Sequence, residues 1–405
     1  MLKHKLALAA LTLVSAGNTV AQNNWNTDFS YLSYSEAQNR VNVSKAVWDL
    51  TRDNDENSTS ILLVYDTMSG ASPTGAIRGS EGSVTYTGAS GGAGFATSGG
   101  RDTAATAFTD VRTQIGVSQD REITRSHTLN YGAVYSTESD YDSVGGSVGL
   151  KRESVSKNTT IDFGIAATFD TISRSYSQGT PAPLSNTDIE REFSEGQRNT
   201  TDVALGLTQV INRNTLAQLT ISFSQSLGYH TDPYKVISVA DESDRILETF
   251  TESRPESRRR ASASTKLIHQ IKDTRHSVHF GYRLYSDDWG ITSNTLDARY
   301  HHQLTPRQFI EPHIRFYQQS SADFYQRKLD VDDQLRAILP EDGFASADYR
   351  LDAMNSVTIG AKYGVSLTPN TKVRFRAAFL QQQFSTAEFE TNEAVIVQTS
   401  FSYQF

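Results

Sequence analysis

Hydrophobic and polar residues alternate with a period of two in many segments of the chain, and the segment 394–405 shows this most clearly. Val395 and Val397 share one parity with Phe405, whereas Gln398 lies on the other. Successive side chains of a strand point to opposite faces, so the segment predicts a strand with one apolar and one polar face. An apolar face that continues to an aromatic end is typical of the closing strand of a bacterial outer-membrane barrel. For this segment alone, an edge strand of a soluble β domain is the alternative.

Charged residues keep to one parity in several of these segments. In one of them, Val373, Phe375 and Phe379 oppose Arg374 and Arg376. An arginine or lysine that faced lipid at the membrane midplane would cost roughly 2–4 kcal/mol, so the charged parity must face a polar lumen. The residues predicted to line this lumen are Arg258, Arg260, Lys266, Arg283, Arg299, Arg315, Arg374 and Arg376.

Connections between the alternating segments are short and long in turn. The short ones carry turn residues and lie at 52–57, 120–125, 156–158, 212–214, 272–275, 305–308 and 368–370, with long ones at 69–103, 174–197, 229–253 and 321–345. This order predicts about 16 strands, an even number, with both termini on the side of the short turns. The predicted fold is all-β: a transmembrane, antiparallel, up-and-down β-barrel with short periplasmic turns and long extracellular loops.

The composition is compatible with such a barrel. Hydrophobic residues make up 37% of the chain and the mean hydropathy is −0.47, as expected where only the outward parity is apolar. Lys3 and Lys5 precede an acid-free apolar stretch at 6–14, which is the layout of a signal peptide. We predict cleavage after Ala21, which divides the chain into a signal peptide at 1–21 and an outer-membrane barrel domain at 22–405.

Charge and cysteine content exclude several classes of function. Two of the 38 basic residues lie in the leader, which leaves 36 against 46 acidic residues and a net charge of −10. This acidic balance argues against nucleic acid as a partner. The chain has no cysteine, which excludes disulfides and thiolate metal sites. His301 and His302 lie on opposite parities of one strand without a nucleophile motif nearby, so neither an enzyme activity nor a cofactor is predicted.

Short sequence words that alternation does not explain resemble a known family. They are YLSYSEAQNRV, DTMSGASPTGA, STESDYDS, GYHTDPYK, SRPESRRRA, YRLYSDDWGI, RFYQQSSADFY and ADYRL. In combination they resemble the bacterial outer-membrane β-barrel family known as domain of unknown function 3570, and the similarity covers essentially all of the chain after the leader. The resemblance implies a barrel in the outer membrane of a Gram-negative bacterium with no assigned catalytic residue or substrate. It also suggests a small lipoprotein or an extracytoplasmic redox protein as a partner.

In the predicted topology nearly all of these words lie at the outer mouth of the barrel. The candidate functional residues that they carry are Asp66, Glu138, Asp140, Asp142, Asp232, Tyr234, Asp287, Asp288, Trp289 and Asp323. Such acids could gather around a hard cation such as Ca²⁺, which prefers several oxygen ligands. The alternative is that they cap strand ends, pair with arginine and begin turns. Whether a metal binds stays open at this point.

Two functions follow from these patterns. The first is a porin-like channel whose Arg/Lys-rich lumen admits a small polar or anionic solute, because rings of basic side chains select anions. The second is a plugged barrel, held by internal salt bridges, whose outer mouth is a binding or assembly scaffold for a lipoprotein, peptide or metal. Both place the chain in outer-membrane lipid, and both expect the strand that ends at Phe405 to engage the barrel-assembly machinery.

Overall fold

A computed structural model of the chain describes residues 24–37, 40–54, 56–73, 83–85, 96–98, 105–173, 180–187 and 195–405. The predicted signal peptide at 1–21 lies outside these residues, as does much of the Gly-rich connection at 69–103. Within the described ranges the chain forms strands and a three-residue 3-10 helix at Tyr349–Leu351. The described part contains no helix long and apolar enough to cross a membrane.

The strands follow one another closely along the chain. In chain order they are β1 (Asn24–Glu36), β2 (Val41–Asp53), β3 (Asn57–Pro73), β4 (Ser83–Thr85), β5 (Ala96–Ser98), β6 (Ala105–Thr124), β7 (His127–Thr137), β8 (Tyr141–Glu153), β9 (Thr159–Ile172), β10 (Gly196–Asn212), β11 (Thr215–Gly228), β12 (Val236–Ala240), β13 (Ile246–Thr251), β14 (Ser257–Gln270), β15 (Ser277–Asp287), β16 (Thr292–Thr305), β17 (Gln308–Gln319), β18 (Met354–Ser366), β19 (Thr371–Phe384) and β20 (Thr391–Gln404).

Sixteen of these strands form one closed antiparallel barrel, which confirms the predicted fold class and strand number. Each barrel strand pairs with its neighbour in the chain, and β20 closes the ring by pairing with β1. The seam is anchored at one end by Trp25 and Phe405, whose backbone groups bond to each other and whose rings stack at 6.4 Å. The short hairpins β4–β5 and β12–β13 lie outside the barrel, in two of the long connections.

The two faces of the barrel wall differ as the alternation predicts. Phe375, Phe379, Val395 and Ile359 lie on the outward face, and each leaves about half of its surface exposed, between 46% and 58%. Register pairs Ile359 with Phe379 and Phe379 with Val395, so the outward apolar side chains form continuous rows across the strands. An apolar surface of this extent is the kind that membrane-spanning barrels present to lipid.

Turns of a few residues join the strands at one end of the barrel, and most connections at the other end are longer. The turn predicted at 120–125 is shorter in the structure, because β6 continues to Thr124 and leaves Arg125 and Ser126 as the turn. Three long connections at the opposite end, 180–187, 229–256 and 320–353, pack against one another. We call these three segments the outer cap.

The outer cap has a hydrophobic core of its own. Ile237, Val239 and Leu329 are at most 1% exposed and pack against Ala345 and Ala347. Bridges pair Val239 with Leu329 and so tie the hairpin β12–β13 to the connection between β17 and β18. The most deeply buried side chains of the described residues therefore lie in the cap and not in the barrel wall.

Candidate functional site

The two sides of the barrel differ in the balance of charge on the inward face. The eight basic residues predicted to line the lumen all lie on the inward parity of β14 to β19. The inward parity of β1 to β10 carries acids together with fewer cations: the acids include Asp28, Asp49, Asp66, Asp162, Asp170 and Asp202, and the cations include Lys45, Arg112, Lys151 and Arg198. The wall formed by β14 to β19 is called here the basic wall.

A cavity of about 750 Å³ opens along the basic wall. Its lining includes Arg299, Arg315, Lys362, Arg374 and Arg376. These side chains lie on the inward faces of four consecutive strands, β16 to β19. A second cavity of about 360 Å³ shares Arg299 and Arg315 with the first. The two cavities form one basic surface because they share these side chains.

Some of these cations are neutralised within the wall. Arg299 Nε lies 2.9 Å from Asp297 Oδ1, and Lys362 Nζ lies 2.6 Å from Glu311 Oε1. Near the outer end, Arg258 pairs with Asp287 at 2.5 Å. These pairs are the internal salt bridges that the sequence left open as an alternative to pore lining.

Other cations of the basic wall form no ion pair with a described residue. Arg374 donates to the Ser402 hydroxyl at 3.0 Å, and Arg315, Arg376 and Lys266 have no hydrogen bond or ion pair with any described residue. A guanidinium group can donate two parallel hydrogen bonds to a carboxylate or a phosphate. Arg315 and Arg376 are therefore free to bind an anion that enters the cavity.

The predicted outer-mouth residues do not form one group. Asp287 accepts hydrogen bonds from Arg258 and Tyr285 and from the backbone N–H groups of Trp289 and Ile291. Asp287 thus shapes the β15–β16 connection, which is the strand-capping role that the sequence offered as its alternative. In the same connection, Gly290 has a φ of +83°, a backbone conformation that side-chain-bearing residues rarely adopt, so glycine is favoured there.

Trp289 and Asp288, the other predicted mouth residues of the β15–β16 connection, are also hydrogen-bonded to neighbouring residues. Trp289 is 3% exposed, donates from Nε1 to the Ser257 carbonyl oxygen at 2.9 Å, and packs edge-on against Phe324. Asp288 Oδ1 accepts the backbone N–H of Arg259 at 2.8 Å. On the other side of the barrel, Asp66 pairs with Arg112 at 2.7 Å, and Asp142 accepts from the Tyr135 hydroxyl at 3.3 Å.

Glu138 and Asp140 do come together with other polar residues, as the sequence expected for part of the mouth. Together with Asp110 they offer carboxylate oxygens that lie within 4.8 Å of one another, and Tyr234 hydrogen-bonds to Asp140. Burial and the neighbouring Asp110 raise the pKa of Glu138 to about 8. Burial also raises the pKa of Asp140. Asp110 was missed by the sequence analysis, because it lies on a strand and not in one of the quoted words.

The outer cap contains a network of buried charges. Asp348, whose side chain is fully buried, accepts from Arg254 Nη2 at 2.9 Å and from Arg350 Nη2 at 2.5 Å. Arg254 also donates to Glu252 at 3.1 Å, and Arg350 reaches Asp232 at 2.9 Å. Every carboxylate of this set has a guanidinium partner, which a buried ion network requires if it is to stabilise a fold.

The cationic neighbours control the protonation of this network. Burial alone would raise the pKa of Asp348, but Arg350, Lys235 and Arg254 hold it well below its usual value. The pKa of Asp232 is lowered in the same way, against its burial, chiefly by Arg350. Burial raises the pKa of Glu252 despite the nearby Arg254.

Sequence reasoning placed only Asp232 of this network among its candidates. Arg254 lies in the word SRPESRRRA, and Asp348 and Arg350 lie in ADYRL, both of which carried the family resemblance. The only signal in these words is that each contains both an arginine and an acid. Their meeting required contacts between residues 94 positions apart, which no local pattern shows.

Comparisons with known proteins agree with the barrel fold. A family model described as a protein of unknown function, DUF3570, matches residues 3–400. No curated protein matches the chain. Among solved structures, CdiB from Acinetobacter baumannii is 6% identical with a TM-score of 0.50, over 94% of this chain and 60% of that chain. The bacterial polysaccharide outer membrane secretin is 7% identical with a TM-score of 0.49, and the match covers 95% of this chain and 100% of the secretin chain. Pseudomonas aeruginosa OccK2 is 7% identical with a TM-score of 0.43, and the match covers 96% of this chain and 100% of the OccK2 chain.

Proposed function

The chain belongs to the DUF3570 family of proteins of unknown function, and we propose that it is an outer-membrane channel whose basic wall admits a small anionic or polar solute. The fold is that of outer-membrane barrels. A closed barrel of 16 strands leaves room for an aqueous channel, unlike barrels of about eight strands, which their own side chains fill. The apolar outward rows support a position in the outer membrane of a Gram-negative bacterium.

One observation carries the proposal: Arg315 and Arg376 line the larger cavity without a partner among the described residues. An arginine kept only for stability would be expected to contact a carboxylate, as Arg258 contacts Asp287. Basic side chains that line a wet lumen attract anions and repel cations. The proposed solute is therefore negatively charged or carries acceptor groups that the two guanidinium groups can bind.

The test is planar-bilayer conductance of the refolded barrel, with reversal potentials measured in a salt gradient. We expect stable openings with a preference for anions in the wild-type protein. The double variant Arg374→Glu/Arg376→Glu should lose or invert this preference. Arg213→Glu/Arg275→Glu is the matched control, because it changes the charge by the same amount in two exposed turns at the inner end. An unchanged preference in a conducting Arg374→Glu/Arg376→Glu barrel would refute the lumen assignment.

The outer cap supports a second function, a capped barrel whose mouth is a binding or assembly scaffold. Its fully buried residues, such as Ile237 and Asp348, form a packed layer that a freely open mouth does not need. If a barrel shown to be folded by heat-modifiable gel migration conducts no current, the scaffold is favoured and the channel is not. The predicted lipoprotein or redox partner and the predicted cleavage after Ala21 then become the first points to test.

A further inference from the structure

A groove lies on the outward face of the barrel, across β10, β11, β14 and β15 near their outer ends. Its volume is about 570 Å³, and its lining includes Val203, Phe223, Gln225, Arg259, Ala261 and Asp288. These side chains share the outward parity, because Arg259 pairs with Gln225 while the inward Arg258 and Arg260 pair with serines. The groove therefore opens on the membrane-facing surface, and three residues of the inward parity, Ser224, Arg260 and Asp287, also border it.

The groove crosses the upper boundary of the apolar band. Register places Thr201, Gln225 and Arg259 in one polar row, close to the outer end where β14 begins. The next row toward the middle of the barrel contains Val203, Phe223 and Ala261, and the row after it is also apolar. In a membrane, the polar row lies at the level of lipid headgroups and the apolar rows lie at the level of acyl chains.

Arg259 is exposed, and its guanidinium has no hydrogen bond or ion pair with a described residue. Only its backbone is engaged, through the N–H bond to Asp288 Oδ1 at 2.8 Å and through its carbonyl oxygen, which accepts the Asp288 N–H at 3.1 Å. The Asp288 carboxylate therefore orders the chain beside the arginine without forming an ion pair with it. A positive group at the headgroup level remains available to an external anion.

The row below Arg259 offers space for an acyl chain. Phe223 is 60% exposed and stands on one side, while Ala261, two residues after Arg259, is too short to fill the groove. We propose that this groove binds a lipid of the outer leaflet that carries a phosphate, with the phosphate on the Arg259 guanidinium and one acyl chain along Phe223 and Ala261. Guanidinium donates two hydrogen bonds to a phosphate, and burial of the chain adds apolar contact. The inference rests on the outer-membrane position of the barrel and not on conduction.

Native mass spectrometry of the full-length barrel in detergent tests the site. The probe is dipalmitoyl phosphatidic acid, and dipalmitoylglycerol is the matched lipid without phosphate. We expect the wild type to retain the phosphatidic acid, Arg259→Gln to bind it about tenfold more weakly, and Arg259→Lys to recover part of the loss. Arg307→Gln, in an exposed inner turn, should bind as the wild type does. Ala261→Phe, which fills the groove and keeps the arginine, should also weaken binding.

Equal affinity of the wild type and Arg259→Gln for phosphatidic acid would overturn the proposal. So would equal affinity of the wild type for the two lipids, full competition by inorganic phosphate, or normal binding by Ala261→Phe. Heat-modifiable migration shows that each variant is folded. A folded barrel that fails to conduct would refute the channel and leave this result intact, whereas Arg259→Gln should not change the ion preference.

Discussion

The outer cap and the basic wall use the same ionic side chains in opposite ways. In the cap, Asp348 is fully buried and is bonded to two arginines. In the wall, Arg315 and Arg376 border a cavity of about 750 Å³ and contact no described carboxylate. A buried charge that loses its partner destabilises the protein strongly, whereas a hydrated charge can stay unpaired at little expense. Burial and pairing therefore distinguish the charges that hold the structure together from those that are available to a solute.

Removing one carboxylate of the cap should give the largest effect. Asp348→Ala removes one of the two carboxylates bonded to Arg254, whose side chain is only 10% exposed, and also removes the carboxylate 2.5 Å from Arg350, so we expect a loss of about 3–5 kcal/mol in cap stability. Hydrogen exchange of the cap amides measures the loss while the barrel amides report on the wall. Asp333→Ala, which removes an exposed carboxylate of the cap that has no hydrogen bond or ion pair with a described residue, is the matched control and should leave exchange unchanged.

The same variant also separates the two regions in function. Because Asp348→Ala does not touch the lumen arginines, we expect an unchanged ion preference together with a larger single-channel conductance as the cap loosens. A change in ion preference would mean that the cap, and not the basic wall, selects the solute. The comparison between the two regions would then be wrong.

Within the basic wall, a paired and an unpaired arginine should respond differently. Arg258→Gln leaves Asp287, whose side chain is fully buried, without its cation and should cost about 1–3 kcal/mol of unfolding free energy. Arg315→Gln breaks no contact with a described residue, so we expect a stability change within about 0.5 kcal/mol. Urea unfolding of the two variants in detergent measures the difference.

Conductance should show the reverse order for these two substitutions. Arg315→Gln should lower the anion preference more than Arg258→Gln, because the charge of Arg258 is already neutralised by Asp287. If Arg315→Gln proves as destabilising as Arg258→Gln, the guanidinium of Arg315 has a structural partner and the wall resembles the cap.

The barrel was predictable from sequence because the alternation of polar and apolar residues along each strand shows which side chains face inward and which face outward. Alternation placed Arg299 and Arg376 on the inward parity, and the register of the structure puts both there. Parity could not show that Arg299 pairs with Asp297 while Arg376 stays free. Pairing depends on side-chain reach across neighbouring strands, which alternation does not encode.

The cap was not predictable for a different reason. Its core joins Val239 to Leu329 and its ion network joins Arg254 to Asp348, and each pair is distant in sequence. Segments such as 229–256 lack a long run of alternation, so they read as loops with turn residues. Their fold follows from contacts among three connections, which only the closed barrel brings together.

Acid should loosen the cap as its low-pKa carboxylates become protonated. Asp348 and Asp232 have pKa values held below the ordinary 3.8, and Asp241 has a pKa lowered to about 2 by hydrogen bonds from Ser243 and Arg245. Their stabilisation is present above about pH 3.8 and is lost as the pH falls through their lowered pKa values, which for Asp241 is about 2. Glu252 has the opposite effect on cap stability. Its pKa is raised in the folded cap, so its protonation in acid favours the folded cap.

Fluorescence of Trp289 reports this transition, since the indole packs against cap residues and is 3% exposed. The measurement uses a Trp25→Phe/Trp48→Phe background, in which Trp289 is the remaining tryptophan. Arg350→Gln removes a cation that lowers the pKa of Asp348 and should move the loss of structure to higher pH. A transition at the same pH in both proteins would contradict the assigned cause.

The smallest effect is expected at Glu138, which lies at the mouth between the two regions. Its pKa is raised from 4.5 to about 8 by burial and by Asp110, and its nearest cation, Arg112 Nε, is 3.8 Å away. The protonated carboxyl therefore stabilises the β7–β8 connection below about pH 4.5, and this contribution is lost as the pH rises through about 8. Carbon-13 NMR of labelled glutamate follows the titration, and Glu138→Gln, which keeps a neutral group of the same shape, assigns the signal. A Glu138 pKa near 4.5 would mean that its carboxyl is hydrated, as the charges that line the lumen are. Buried charges at the outer end of the barrel would then be confined to the outer cap.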